Sequence, residues 1–292
     1  MNGRQPIRRR RVTGVTSGFA AVKNALERLP WGRGEPSVGR VFPEIARFRT
    51  TEQVGIGLVA PFDFALDREL WRWLDDRACL HSTRLPYLPE PVTVRLATAL
   101  ADPHGVRRAT RDVLAPDPHV VAYSCTSGSF AAGAAGEATI VAAMLAAGAP
   151  AAVTTSGALV GALTELGIGR VAIVSPYVAE VTERLLDFLS EFGVTTTANI
   201  GLGMLGDIWK LSYSDVLRAV AGVDTTGAEA LFVACTNVPT YDIIAPLERL
   251  LSIPVLTANQ VTMWAAQRAA GVGPIDAPGL LFANGGKNLA TA

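Results

Sequence analysis

Two segments of this chain each occur twice. Ile56-Gly57-Leu58-Val59-Ala60-Pro61-Phe62 has a counterpart in Val171-Ala172-Ile173-Val174-Ser175-Pro176-Tyr177, and Val120-Val121-Ala122-Tyr123-Ser124-Cys125-Thr126 has one in Ala230-Leu231-Phe232-Val233-Ala234-Cys235-Thr236. The two prolines lie 115 positions apart and the two cysteines 110. Two independent landmarks at nearly one offset predict two similar halves. The repeated segments are continuous apolar runs rather than alternating ones. Strands buried on both faces by covering helices, as in parallel sheets, have that pattern.

The rest of the chain fits the same scheme. Strand-like runs at 54–60, 120–125, 151–155, 170–175, 194–198, 230–235 and 253–257 alternate with helical stretches at 67–74, 92–114, 137–147, 158–166, 178–192, 214–221, 240–251 and 260–270. His81-Ser82-Thr83-Arg84 adds a short strand. Strand–helix alternation predicts an α/β fold of doubly wound, Rossmann-like type. We expect two pseudo-symmetric lobes with parallel sheets, the first over 51–155 and completed by 260–292, the second over 156–259. Ligands of such sheets bind at the carboxyl ends of the strands, so an active site is expected in the cleft between the lobes.

Ahead of this body, residues 1–50 carry 11 Lys and Arg against 3 Glu, including Arg8-Arg9-Arg10-Arg11, although the formal net charge of the chain is zero. They read as a basic extension, more simply a solvated or packed tail than a nucleic-acid contact. No run of 18 apolar residues occurs, and the start is too polar and glycine-broken for a secretory signal, so neither a membrane span nor export is expected. Three cysteines, an odd number, do not form a secreted disulfide framework, which points to a reduced, cytoplasmic setting.

The chemistry is expected at Cys125 and Cys235. A free cysteine is usually a small buried hydrophobe. Here, however, both end a strand, both precede Thr, and both stand before an expected helix start, where backbone N–H groups and the helix dipole stabilise a thiolate. Thr126, Ser127, Thr236 and Asn237 can cap those helices and can equally bind a carboxylate or an enolate oxygen. Pro61 and Phe62 open the first loop at the same edge, and Tyr177, after Pro176, can donate to a carboxylate. Arg84 can attract an anion or pair with a surface carboxylate. Cys79 has no such context. His81, His104 and His119 have no ligand spacing, so no metal is expected. Gly201-Leu202-Gly203-Met204-Leu205-Gly206 matches a dinucleotide fingerprint, but the helix that should follow is poorly defined, so no nucleotide cofactor is expected either.

The runs Ile56–Pro61, His81–Arg84, Ser124–Ser127, Val174–Tyr177 and Ala234–Asn237 together resemble the aspartate/glutamate racemase superfamily. The nearest pattern is that of the maleate cis-trans isomerases, the arylmalonate decarboxylases and the racemase-like proteins of ectoine breakdown. The resemblance implies cofactor-independent chemistry on a small carboxylate, with a catalytic cysteine pair at Cys125 and Cys235 and a carboxylate contact at Tyr177. The decarboxylase branch keeps only the second cysteine, so the presence of both favours isomerisation or racemisation. Maleate isomerases carry Pro-Ser-Ser-Asn after the first strand; here the run is Pro61-Phe62-Asp63-Phe64, which implies a more apolar pocket end and a substrate larger or less charged than maleate, such as the amino-acid derivatives of the ectoine-linked branch, with the maleate isomerase-like reading kept beside it. A homo-oligomer, dimer or tetramer, is expected, with no nucleic-acid or membrane partner. The alternatives are a non-catalytic small-ligand-binding or regulatory member of the same fold, or a decarboxylase of the arylmalonate type.

Overall fold

In a computed structural model, the described residues are 53–273 and 275–284; the basic segment 1–50 lies outside them. The element order is β1 (Val54–Ala60), α1 (Asp67–Trp71), β2 (Ala78–Arg84), α2 (Val94–Leu100), α3 (Pro103–Val113), β3 (Val120–Tyr123), α4 (Thr126–Phe130), α5 (Gly133–Ala147), β4 (Ala152–Thr154) and α6 (Thr155–Leu166). The second half continues with β5 (Arg170–Ser175), α7 (Ala179–Glu191), β6 (Thr195–Gly201), a 3-10 turn at Ile208–Lys210, α8 (Tyr213–Gly222) and β7 (Ala230–Val233). A second 3-10 turn at Tyr241–Ile243, α9 (Ile244–Leu251), β8 (Val255–Thr257), α10 (Ala258–Ala269) and α11 (Leu280–Asn284) complete it.

The strands form two four-stranded sheets, ordered β2-β1-β3-β4 and β6-β5-β7-β8, with every pairing parallel. The orders are identical once the second half is renumbered, so the sequence repeat is a repeat of topology. In each sheet the first strand is followed by a crossover to one side and the third by a crossover to the other. The crevice between β1 and β3, and likewise between β5 and β7, is therefore a topological switch point, where open α/β sheets bind ligands.

Strand residues divide between cores with period two. Ile56, Leu58 and Ala60 face a large core, while Val59 faces a smaller one with Val121 and Tyr123. The large core runs on through Val171, Ile173, Phe232 and Leu256 of the second sheet, so the sheets share one apolar interior. Helix α10 follows the last strand of the second sheet but packs on α6 and on β3 and β4 of the first.

Polar clasps join the halves. Glu69 of α1 is buried and accepts from the Thr240 N–H at 2.9 Å, the Thr240 hydroxyl at 3.1 Å and Asn259 Nδ2 at 3.0 Å. Gln267 Nε2 donates to the Trp73 carbonyl at 2.9 Å.

Several expected boundaries move for local reasons. The long helix expected over 92–114 is two helices, because Pro103 cannot follow a helical residue: Asp102 turns the chain and caps α3 by accepting from the Gly105 N–H at 2.9 Å. Strands β3 and β7 stop two residues short of the cysteines, which leaves both thiols in the turns. The helix expected from Thr240 begins as a 3-10 turn. After Gly201 the chain turns at Gly203, with φ of 65°, into the 3-10 turn rather than an α-helix, so the glycine fingerprint has no helix N-terminus to hold a pyrophosphate. Gly201 is needed because a Cβ there would lie 2.8 Å from the Tyr177 carbonyl oxygen.

Candidate active site

A cavity of about 30 Å³ lies where the switch points of the two sheets meet. Its polar wall contains Cys125, Thr126 and Ser127 from the turn after β3, Cys235, Thr236 and Asn237 from the turn after β7, Tyr177 after β5, and Asp63 after β1. Pro61, Val92, Leu96, Leu100 and Ile208 close the rest. The pseudo-symmetric connectivity thus brings the two thiols to one space from opposite sheets. A cavity of this size holds about two water molecules. Leu96 and Leu100 of α2 and Ile208 form its apolar side.

The two cysteines are held differently. Cys125 is the N-cap of α4, in extended conformation, and its Sγ accepts from the Gly128 N–H at 3.4 Å with the Ser127 hydroxyl 3.9 Å away. Gly128 must be glycine: a Cβ there would lie 2.2 Å from the Tyr123 hydroxyl and 3.1 Å from Cys125 Sγ. Cys235 has φ of 83°, a left-handed conformation that costs a non-glycine residue about 1–3 kcal/mol. The following turn is closed by the Val238 N–H donating to the Cys235 carbonyl at 3.1 Å. Strain of this kind persists where the surroundings over-determine it, and functional sites are where it collects.

The helix-terminus argument predicts acidic thiols, and the structure reverses it. Cys125 and Cys235 are 3% and 9% exposed. Burial pushes Cys125 up to about 11, against the opposing pull of the Gly128 N–H and the Ser127 hydroxyl. It pushes Cys235 up to about 12, against the Tyr177 hydroxyl and the Asn237 N–H. Negative charge adds to this: Asp63 raises the cost of ionising both sulfurs, and Cys125 raises that of Cys235. With no cation among the described wall residues, both sulfurs hold their protons; the donors around them moderate the desolvation without overcoming it.

The remaining expected residues separate. Thr126 is buried in the cavity wall and its Oγ1 has no hydrogen-bond partner. Ser127 lines the wall beside Cys125. Tyr177 is 1% exposed, with its hydroxyl against Cys235 and its ring against Phe130. Thr236 Oγ1 donates to the Ser124 carbonyl of the first half at 3.4 Å. Asn237 lines the cavity and also braces the protein: its Oδ1 accepts from the Ala65 N–H at 3.0 Å and its Nδ2 donates to the Asp63 carbonyl at 3.2 Å. Phe62 is not part of the cavity wall; its ring meets Tyr87 edge-on at 5.2 Å. Arg84 is turned away as well, with its guanidinium 2.7 Å from Asp67 and 3.3 Å from the Phe64 carbonyl. Arg84 and Asn237 together fix the loop that carries Asp63.

Two site residues escaped the sequence reading. Asp63 shows in the sequence only as part of the departure Pro61-Phe62-Asp63-Phe64, between two phenylalanines; burial raises its carboxyl above the usual range. Tyr123 lies two residues before Cys125, and the strand period places both side chains on one face. Its buried hydroxyl donates to the Leu100 carbonyl at 2.9 Å and also bears on Cys125. Each thiol therefore has a buried phenol beside it, Tyr123 for one and Tyr177 for the other. Among the described residues, no group of three or more His, Cys, Asp or Glu is placed to hold a metal ion.

The family model for arylmalonate decarboxylase matches residues 104–282, which include both cysteines. The chain belongs to that family. It is 32% identical over 174 residues to the arylmalonate decarboxylase of Bordetella bronchiseptica, covering 55% of this chain and 68% of that protein. It is 28% identical over 181 residues to a maleate isomerase of Nocardia farcinica, covering 59% of this chain and 71% of the relative. A solved structure of a Nocardia farcinica maleate cis-trans isomerase mutant, with a covalently bound succinylcysteine intermediate, shares the fold with a TM-score of 0.70 at 23% identity, over 78% of this chain and 98% of the other. The two-sheet α/β architecture is thus that of the decarboxylase and isomerase structures. No helix among the described residues is long and apolar enough to cross a membrane.

Proposed function

We propose that this protein is a cofactor-independent isomerase or racemase of a small carboxylate, with Cys125 and Cys235 as its acid–base or nucleophile pair. The observation that carries this reading is the meeting of two strand-end thiols in one cavity, one from each switch point. The curated relatives, a decarboxylase and a maleate isomerase, support an enzyme of this superfamily.

In the racemase form, the thiolate of one cysteine takes the proton alpha to the carboxylate. A new S–H bond forms, and the C–H electron pair passes into an enediolate. The Thr126 hydroxyl and the N–H groups at 126–127 and 236–237 offset the oxyanion charge. The opposite thiol then gives its proton to the other face and becomes the thiolate, so the enzyme is left ready for the reverse direction. In the cis-trans form, the Cys125 thiolate adds to the alkene and the adjacent carbon takes the proton of Cys235. The C–C single bond rotates, and reversal of both steps releases the trans acid. A maleate isomerase of this fold carries a succinylcysteine intermediate, so the fold accommodates a sulfur–carbon bond.

The test is an NMR turnover screen of dicarboxylates, amino acids and amine-bearing acids in deuterated water, run on the wild type and on Cys125→Ser and Cys235→Ser. Deuterium entering at the alpha carbon identifies the racemase form. A substrate–cysteine adduct found by mass spectrometry identifies the alkene form. Full turnover by both serine variants overturns the proposal. Decarboxylation is the second reading, favoured by the family match; loss of carbon dioxide from phenylmalonate that depends on Cys235 and not on Cys125 would establish it.

A further inference from the structure

Two groups on the cavity wall call for opposite charges. At one end the buried Thr126 hydroxyl has no partner, and it stands in the first turn after the Cys125 cap, where the N–H groups of α4 begin. A carboxylate oxygen answers both. On the first loop stands Asp63, half-buried on the cavity wall. No ion pair engages it among the described residues, and no lysine, arginine or histidine lines the cavity there. Its loop is held by Asn237, which binds the Asp63 carbonyl and the Ala65 N–H without bonding the carboxylate itself.

We infer that Asp63 selects the substrate: the site takes a monocarboxylate that carries its own positive group, an ammonium beside the reacting carbon, and disfavours a dicarboxylate. This rests on the reading of the site as a two-cysteine isomerase or racemase. A second carboxylate would lie in a half-buried space with Asp63 and two sulfurs, and none of the described wall residues would neutralise it. An ammonium pairs with Asp63 in a charge-assisted hydrogen bond, the stronger kind. It also resolves the problem of two protonated thiols. A cation within about 4–6 Å favours an adjacent thiolate by about 1–3 units, whereas an added anion disfavours it. The substrate thus supplies the positive charge that the described residues of the wall lack, and the basic form of the catalytic sulfur becomes accessible only with the correct ligand in place.

The experiment uses the full-length chain and three acids of similar size: 2-aminobutyrate, 2-hydroxybutyrate and methylsuccinate. Binding is measured by calorimetry and turnover by deuterium exchange at the alpha carbon, for the wild type and for Asp63→Asn, with melting temperatures as a check on folding. The wild type is expected to prefer 2-aminobutyrate over methylsuccinate by about 10-fold or more, the scale of one charge-assisted contact. Asp63→Asn is expected to lower affinity for the amino acid, to raise it for the diacid and to keep its melting temperature. A structural role alone would weaken all three acids together. A wild type that prefers the diacid, or an Asp63→Asn variant with an unchanged ratio, overturns the inference. Selective binding of 2-aminobutyrate with no exchange of any acid defeats the enzymatic reading and leaves the selectivity of Asp63 standing.

Discussion

Raised thiols make a quantitative prediction about alkylation. At pH 7 an ordinary thiol of pKa about 8.5 is about 3% thiolate. Cys125, pushed up to about 11, is about one part in 10⁴, and Cys235, pushed up to about 12, about one in 10⁵. The thiolate populations therefore fall about 300-fold and about 3,000-fold below the ordinary case. A more basic sulfur is a better nucleophile, with a Brønsted slope of about 0.4–0.5, and this returns about 10-fold and about 40-fold. The net expectation is iodoacetamide reaction about 30-fold slower than glutathione at Cys125 and about 80-fold slower at Cys235, before any steric shielding. The assay is peptide mass spectrometry after timed alkylation of the folded protein between pH 6 and pH 10.5. Each rate should climb tenfold per pH unit with no plateau in that range. A plateau with a midpoint below about pH 8 at either site refutes the argument, because it would mean that the cap N–H groups outweigh burial. Slow alkylation at neutral pH consequently does not distinguish an enzyme from a passive binder; slow alkylation that a bound amino acid accelerates at one cysteine does.

Three further outcomes follow from the same geometry. The folded protein keeps the Cys125 proton to about pH 11 while the unfolded chain releases it near 9, so stability present below pH 9 is lost as pH rises through that window; by pH 10.5 the wild type should lose about 2 kcal/mol more than Cys125→Ser, read from urea midpoints. Gly128→Ala places a methyl against the Tyr123 hydroxyl and Cys125 Sγ and should cost about 1–3 kcal/mol of stability together with most activity, and a fully active, equally stable variant would contradict the packing. Asn237→Ala removes both hydrogen bonds that brace the Asp63 loop and should lower stability by about 1–3 kcal/mol and raise KM more than it lowers kcat; an unchanged KM would return Asn237 to a purely local role.

The sequence carried the fold further than it carried the site. Repeated apolar runs encode repeated topology directly, because a strand buried on both faces has little compositional freedom, and the matched prolines and cysteines mark the same edge of both sheets. What it did not carry is which side chains turn inward. Phe62 and Asp63 are neighbours, yet one packs on Tyr87 and the other faces the thiols, and that choice is made by Asn237 from 172 positions away and by Arg84 on the adjacent strand. The thiol acidity was misjudged for a related reason. A helix N-terminus is visible in sequence, whereas desolvation depends on how completely α2 and Ile208 cover the cavity, a property of tertiary packing.

The repeat breaks where the chemistry lies. Cys125 sits in relaxed extended backbone as a helix cap, with Tyr123 from its own strand beside it; Cys235 sits in a left-handed turn with no helix behind it, and its phenol, Tyr177, comes from the neighbouring strand. The repeated topology alone would have given both sulfurs the same surroundings, so the two halves differ here, and the second holds its form against a backbone cost. A left-handed cysteine is replaced by glycine without strain, which makes Cys235→Gly the cleaner probe of why the strain is kept. That variant should be as stable as the wild type or more so, and inactive. Greater stability with activity retained would mean that the thiol is tolerated rather than required, and the pair of sulfurs would no longer explain the cavity they share.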